Sequence, residues 1–273
     1  VIVVRRGGEL VLIRQVDHGL LSGEVARRWG NARFQRPEPL EPVVLASALH
    51  DEGWREQDEV PLFDARARAP LHWRDIDVAS HVVFYAEGIG RVAARDPYAG
   101  LLVSMHGAGI YLRRYGTYQV KMTKLAGADR EPIDRFVAEQ EAEQVRLKRV
   151  VWTPEVRRAE FERTLWFHYE LLQIWDRLSL FVCLNDPRRP AQDRLGPMPV
   201  TAAGPVLELH VRAAGDGRIE LDPYPFDTPS LETVVAARAI PDRPYETADD
   251  VRAALRTARD ASIHSRFVPA SAR

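Results

Sequence analysis

The chain has 273 residues, 45% of them hydrophobic and 28% charged, which is the balance of a packed globule rather than of a disordered or fibrous protein. Lys+Arg 38 against Asp+Glu 39 leave a net charge of −1, so no long-range field attracts nucleic acid or an anionic membrane, and neither is expected as a partner. A single cysteine, Cys183, excludes an internal disulfide and a thiolate zinc site and fits a reducing, cytoplasmic setting.

Val1 to Val4 and Leu10 to Ile13, joined through Gly7-Gly8, read as a β-hairpin that serves as a lid or an edge. From Asp17 to about Asp186 the pattern turns helical, with breaks at Arg36 to Pro42, Gly53 to Arg74, Arg95 to Pro97 and Gly116 to Arg130, and predicts a bundle of five or six helices. Val1 to Arg6 has no basic segment followed by an apolar one, and the longest apolar stretch, Leu171 to Leu184, is interrupted by Gln173, Asp176 and Arg177, so neither a leader nor a membrane span is expected. Thr153-Pro154-Glu155 marks the start of a long helix, with a hydroxyl at the N-cap and proline at the first helical position. Proline-rich Pro187 to Gly204 reads as a linker. Beyond it Leu207, Leu209 and Val211 alternate with polar residues, Gly215-Asp216-Gly217 turns the chain, and Ile219 and Leu221 complete a second hairpin. Val234 to Ile240 adds a strand, and Thr247 with Asp250 caps a last helix through about Arg259. The expected fold is mainly α: a helical metal-binding domain over 1–186 with an N-terminal hairpin, a linker over 187–204, and a small α/β subdomain over 205–273.

The apolar stripes of the helices repeatedly contain residues that bind metals. His18 opens the stripe Leu21, Ser22, Val25, Trp29; His50 extends Val43, Ala46, Ser47, with Asp51 beside it. His81 flanks Val78, Val82, Tyr85 and Ile89; His106 follows Leu102 and precedes Gly109, a small residue that leaves room beside it; Asp176 lies between Leu172 and Ser179. One core histidine is ordinarily a hydrogen-bonded one, but a carboxylate in an apolar face costs several kcal/mol unless it is paired. Five helices converging on N and O ligands point to a metal site in the bundle core. Four His and two Asp (His18, His50, Asp51, His81, His106, Asp176) without thiolate suit one or two ions of Fe, Mn, Co or Zn. Adjacent residues of a helix point about 100° apart, so Asp51 can bridge to a second ion while His50 binds the first, and six ligands suit a dinuclear centre.

The order His18, His50-Asp51, His81, His106, Asp176 resembles the HD-domain superfamily. The stretches Asp17 to Gly23, Leu49 to Trp54 and Leu172 to Ser179 also look like an uncharacterised bacterial HD-like family, and the resemblance covers about residues 1 to 240. It implies a metal-dependent hydrolase acting on a small phosphorylated substrate. An alternative within the superfamily is a di-iron oxygenase acting on a small polar substrate, and a third reading is an inactive ligand-binding or regulatory module. The Gly-Tyr-Pro signature of the cyclic-di-GMP subgroup is absent. Asp51 and His168 are the catalytic candidates, the latter two turns before Asp176, where it can equally be bonded within the core. Trp54, with Trp73 across the Gly53 to Arg74 loop, can wall a substrate pocket, and Lys121 and Lys124 can dock an anion or lie solvated. Trp29, Trp166 and Trp175 read as core, and His72, His210 and His264 as residues that do not ligate.

Overall fold

The computed structural model describes residues 1–112, 114 and 130–271. Strands β1 (Ile2–Arg6) and β2 (Glu9–Ile13) form the first hairpin, turned by Gly7 and Gly8 at φ of +60° and +82°, where a side chain would be strained. Helices α1 (Gln15–Arg28), α2 (Leu40–Ala48) and α3 (Arg55–Glu59) follow, then the short strands β3 (Phe63–Asp64) and β4 (Ala69–Pro70). Next come α4 (Val78–Arg95), α5 (Pro97–Tyr111), α6 (Arg130–Val151) and α7 (Arg158–Leu184). Asp77 and Asp96 cap α4 and α5, accepting from the Ser80 and Ala99 N–H at 2.8 Å each. The long helix expected from Thr153 begins instead at Arg158. Trp152 Nε1 donates to the Val156 carbonyl at 2.9 Å and holds the connector as a turn.

The C-terminal part holds β5 (Ala191–Pro199), β6 (Val206–Ala213), β7 (Arg218–Asp222), β8 (Leu231–Pro241), α8 (Ala248–Arg256) and β9 (Arg259–Pro269). Thr247 caps α8 as its sequence predicts, accepting from the Asp250 N–H at 3.1 Å. These strands and the first hairpin make one curled sheet in the order β1-β2-β8-β9-β7-β6-β5, antiparallel except where β7 runs beside β9. The expectation of a mainly α fold is therefore overturned: the protein is 49% helical and 24% strand. Two signals hid the sheet. The prolines of β5 read as a linker, yet β5 is an edge strand bulged between Leu195 and Met198, where missing N–H donors are tolerated. The other is β9, whose Ile263, Ser265 and Phe267 alternate inward among residues read as the end of the last helix and a tail.

The helices cover one face of this sheet, with α7 against β1, β5 and β9 and α1 against β8. Strand β2 is buried on both sides: Val11 and Ile13 enter the main core, whereas Leu10 and Leu12 join Ile240, Tyr245, Val251 and Leu255 in a smaller core beneath α8. Trp29 and Trp175 are fully buried as expected, but Trp166 is 39% exposed, because it lies on the outer side of α7. Glycines set the helix spacing around the future site. A Cβ on Gly19 would stand 2.8 Å from the Ala48 carbonyl oxygen, and one on Gly53 would stand 1.9 Å from that of Phe84. Among the described residues no helix is long and apolar enough to cross a membrane.

Candidate metal centre

Helix α1 presents His18, which is 1% exposed. Its Nδ1 lies 2.8 Å from Ser179 Oγ, and that hydroxyl donates its own hydrogen to the Asp176 carbonyl at 2.8 Å. Ser179 must then accept from His18, so the Nδ1 carries a proton and Nε2 is the nitrogen within hydrogen-bond reach of Asp51 Oδ2, at 2.9 Å. His50 repeats the arrangement. Its Nδ1 lies 2.7 Å from the Ser47 carbonyl, which can only accept, so Nδ1 carries a proton and Nε2 is the nitrogen turned toward the carboxylates. That atom is buried, makes no hydrogen bond, and stands 3.3 Å from Asp176 Oδ1 and 3.6 Å from Asp51 Oδ2. Two Nε2 atoms aimed at two carboxylates form a pocket in which positive charge, a proton or a metal ion, is stabilised, and an outer acceptor on each Nδ1 is how ligating histidines are oriented.

Helix α5 adds His106, with Nε2 4.0 Å from Asp176 Oδ2, and α7 supplies Asp176 itself. Ligand atoms of His18, His50 and Asp51 lie within 4.8 Å of one another, as do those of His50, His106 and Asp176. Atoms bound at about 2.1 Å to one ion are at most about 4.2 Å apart, and the contacts of 2.9 to 4.0 Å between imidazole Nε2 and carboxylate oxygen fit that limit.

The electrostatics follow from the burial. Burial alone would depress the His50 imidazole, but Asp176 and Asp51 overcome it and raise its pKa to about 9. Desolvation opposes ionisation of both carboxylates, yet the surrounding histidines, His50 foremost, hold Asp51 and Asp176 below the usual range. His106 is pushed down to about 4 by burial and then by its neighbour His50.

Three features depart from the sequence-based picture. First, α2 ends at Ala48, so His50 and Asp51 lie in the turn that follows it rather than on a helix, and both side chains aim at one centre instead of about 100° apart. Second, the other oxygen of Asp51, Oδ1, accepts from the Tyr85 hydroxyl at 2.6 Å, while Gln15 Nε2 donates to Oδ2 at 3.1 Å. Third, His81 belongs to neither ligand group. Its Nδ1 is hydrogen-bonded to the Tyr111 hydroxyl, its ring packs 4.7 Å from Tyr85, and burial pushes it down to about 4. The space beside Gly109 serves Tyr169 rather than a ligand, since a Cβ there would stand 2.0 Å from the Tyr169 hydroxyl.

His168 is fully buried and hydrogen-bonded through Nδ1 to the Tyr98 hydroxyl at 2.7 Å, in neither ligand group, and burial lowers its pKa to about 4. Trp54 is buried, edge-on to His81 at 5.7 Å. Lys121 and Lys124 lie outside the described residues. Sequence reasoning passed over Gln15 and took Tyr85 and the serines as filler. The signal for Ser47 and Ser179 was their place on the same stripes as the ligands, where a hydroxyl or a helix-end carbonyl can fix a ring.

The identification with the HD-domain superfamily does not stand: the family model that matches, over residues 1–242, is another one, and no HD-domain family matches. No curated protein and no solved structure matches the chain. The chain belongs to the family described as "Protein of unknown function (DUF3891)".

Proposed function

We propose that the protein is a divalent-metal-dependent hydrolase of a small phosphorylated substrate, with one ion held by His18, His50, Asp51, His106 and Asp176. The observation that carries this reading is the pair of outer acceptors, Ser179 and Ser47, that turn Nε2 of His18 and His50 toward Asp51 and Asp176. Such an arrangement is unusual for a core of hydrogen bonds, because His50 Nε2 is buried and aimed at two carboxylates without a hydrogen bond to either. A bound divalent ion supplies Lewis-acid chemistry, activating water and drawing charge from a phosphoryl oxygen. Around it the chain's own groups act by position. Tyr85 and Gln15 fix the Asp51 carboxylate so that Oδ2 alone faces the centre, and Ser179 and Ser47 fix the two imidazoles. A ligand set of three histidines and two carboxylates, with no thiolate, keeps the ion hard enough for oxygen substrates.

The test is metal content and turnover together. Purified protein reconstituted with Mn, Co, Zn or Fe should hold one ion per chain and hydrolyse members of a panel of phosphomonoesters and phosphodiesters. His50→Ala and Asp51→Ala should lose the ion and keep the helical circular-dichroism spectrum. Full metal retention in both variants, or none in the wild type after reconstitution, would refute the site; a loaded protein inert toward the whole panel would refute the reaction.

A further inference from the structure

His81 is the one histidine near the centre that the ligand groups leave out, and it is placed differently from all the others. The five candidate ligands are buried, whereas His81 is half-buried and stands one ring beyond them. Tyr85 lies between: its ring is 4.7 Å from His81 and 6.0 Å from His106, and its hydroxyl is on Asp51. Trp54 and Tyr111 pack edge-on to the imidazole at 5.7 and 5.8 Å, so the ring is walled on several sides and cannot swing freely. Tyr111 holds Nδ1, and among the described residues no hydrogen bond engages Nε2. A ring fixed this firmly, with one nitrogen secured and the other unengaged at the edge of the proposed centre, has the form of a ligand-binding donor.

We propose that His81 binds substrate rather than metal, offering the Nε2 hydrogen to a phosphoryl oxygen while the Tyr111 hydroxyl donates to Nδ1 and holds the ring. This rests on the hydrolase reading above and assigns the part of that site that recognises the phosphoryl group. The role is a hydrogen bond to a charged oxygen, with no proton transferred. Tyr111 is a positioning residue, acting through the imidazole.

Inorganic phosphate binding to the Mn-loaded protein, measured by calorimetry alongside metal content, tests the assignment. The wild type should hold its ion and bind phosphate. His81→Ala should keep the ion and weaken phosphate by about tenfold or more, the loss expected for one hydrogen bond to an anion. His81→Gln, which restores a neutral donor, should recover most of the affinity, and Tyr111→Phe should lose less than His81→Ala. Loss of the ion in His81→Ala and His81→Gln would make His81 a ligand and overturn the proposal, as would unchanged phosphate affinity in His81→Ala. If His81→Ala does not fold, Tyr111→Phe and His81→Gln decide, because phosphate affinity equal to wild type in Tyr111→Phe with no recovery in His81→Gln also overturns it. A wild type that holds no ion refutes the underlying reading and this contact with it, whereas a loaded wild type that ignores phosphate refutes the phosphoryl contact while leaving the metal site standing.

Discussion

At the scale of single residues, the centre stores its readiness for a cation in one proton. His50 keeps its Nδ1 hydrogen on the Ser47 carbonyl, and with its pKa raised to about 9 by Asp176 and Asp51 it also carries a proton on Nε2 at neutral pH when no metal is present. The two carboxylates are already ionised there, and His106, pushed down to about 4, is already neutral. Metal binding at pH 7 should therefore displace one proton, from His50. The sign follows directly: below pH 9 the proton competes with the ion, so apparent affinity should fall roughly tenfold for each pH unit of acidification between about 8 and 5. Calorimetry in buffers of different ionisation enthalpy reads this release; an enthalpy that does not vary with buffer would rule out His50 as the protonated ligand.

At the scale of elements, glycines decide whether Tyr85 can reach Asp51. Helix α4 meets the turn after His50-Asp51 through Gly53 and Gly88, and a Cβ on Gly88 would stand 2.4 Å from the Gly53 amide nitrogen. Gly88→Ala should push α4 away from the turn, strain the Tyr85–Asp51 hydrogen bond, and destabilise by roughly 3 kcal/mol or more, since the obstacle is backbone. Gly90, two positions on, has nothing within 4 Å of its Cβ position, so Gly90→Ala should instead stabilise by up to about 1 kcal/mol. Thermal unfolding of the two variants gives the comparison, and equal melting temperatures would contradict the packing argument. The same elements show how much was legible. Helical periodicity located His18, His106 and Asp176 on α1, α5 and α7, and these lie together at the centre. It misplaced His50 and Asp51 by extending α2 through them, because an apolar stripe does not record where a helix stops when no glycine or proline ends it. Tyr85 was indistinguishable from filler, since only the approach of α4 to the turn gives its hydroxyl a partner.

At the scale of the whole molecule, the family match ends at residue 242, inside the sheet rather than at its border. Strand β9 lies beyond that point and is inserted between β8 and β7, pairing with β8 from Leu231↔Phe267 to Ala239↔Arg259 and burying Ile263 and Phe267. A chain cut after Asp242 should keep every candidate ligand and still fail to fold cooperatively, because β7 and β8 would each lose a neighbour. Loss of the near-ultraviolet circular dichroism and of a sharp thermal transition would bear this out, and a native-like transition in the shortened chain would contradict it. The sheet was illegible for a related reason: its strands come from both sides of the helical stretch, and alternation in a short segment says nothing about which distant segment completes it. That strand order also sets a schedule. Leu10 pairs with Arg5 inside the hairpin but finds its second neighbour only at Ile240, so on the ribosome the outer edge of β2 must wait while the whole stretch between, with all five candidate ligands, is made. A loop of that span closes late, a cost in folding speed that helical contacts alone would not incur. Until then one edge of β2 stays open to other chains, and the charges of Arg5, Arg6 and Glu9 on either side of the Gly7-Gly8 turn discourage them.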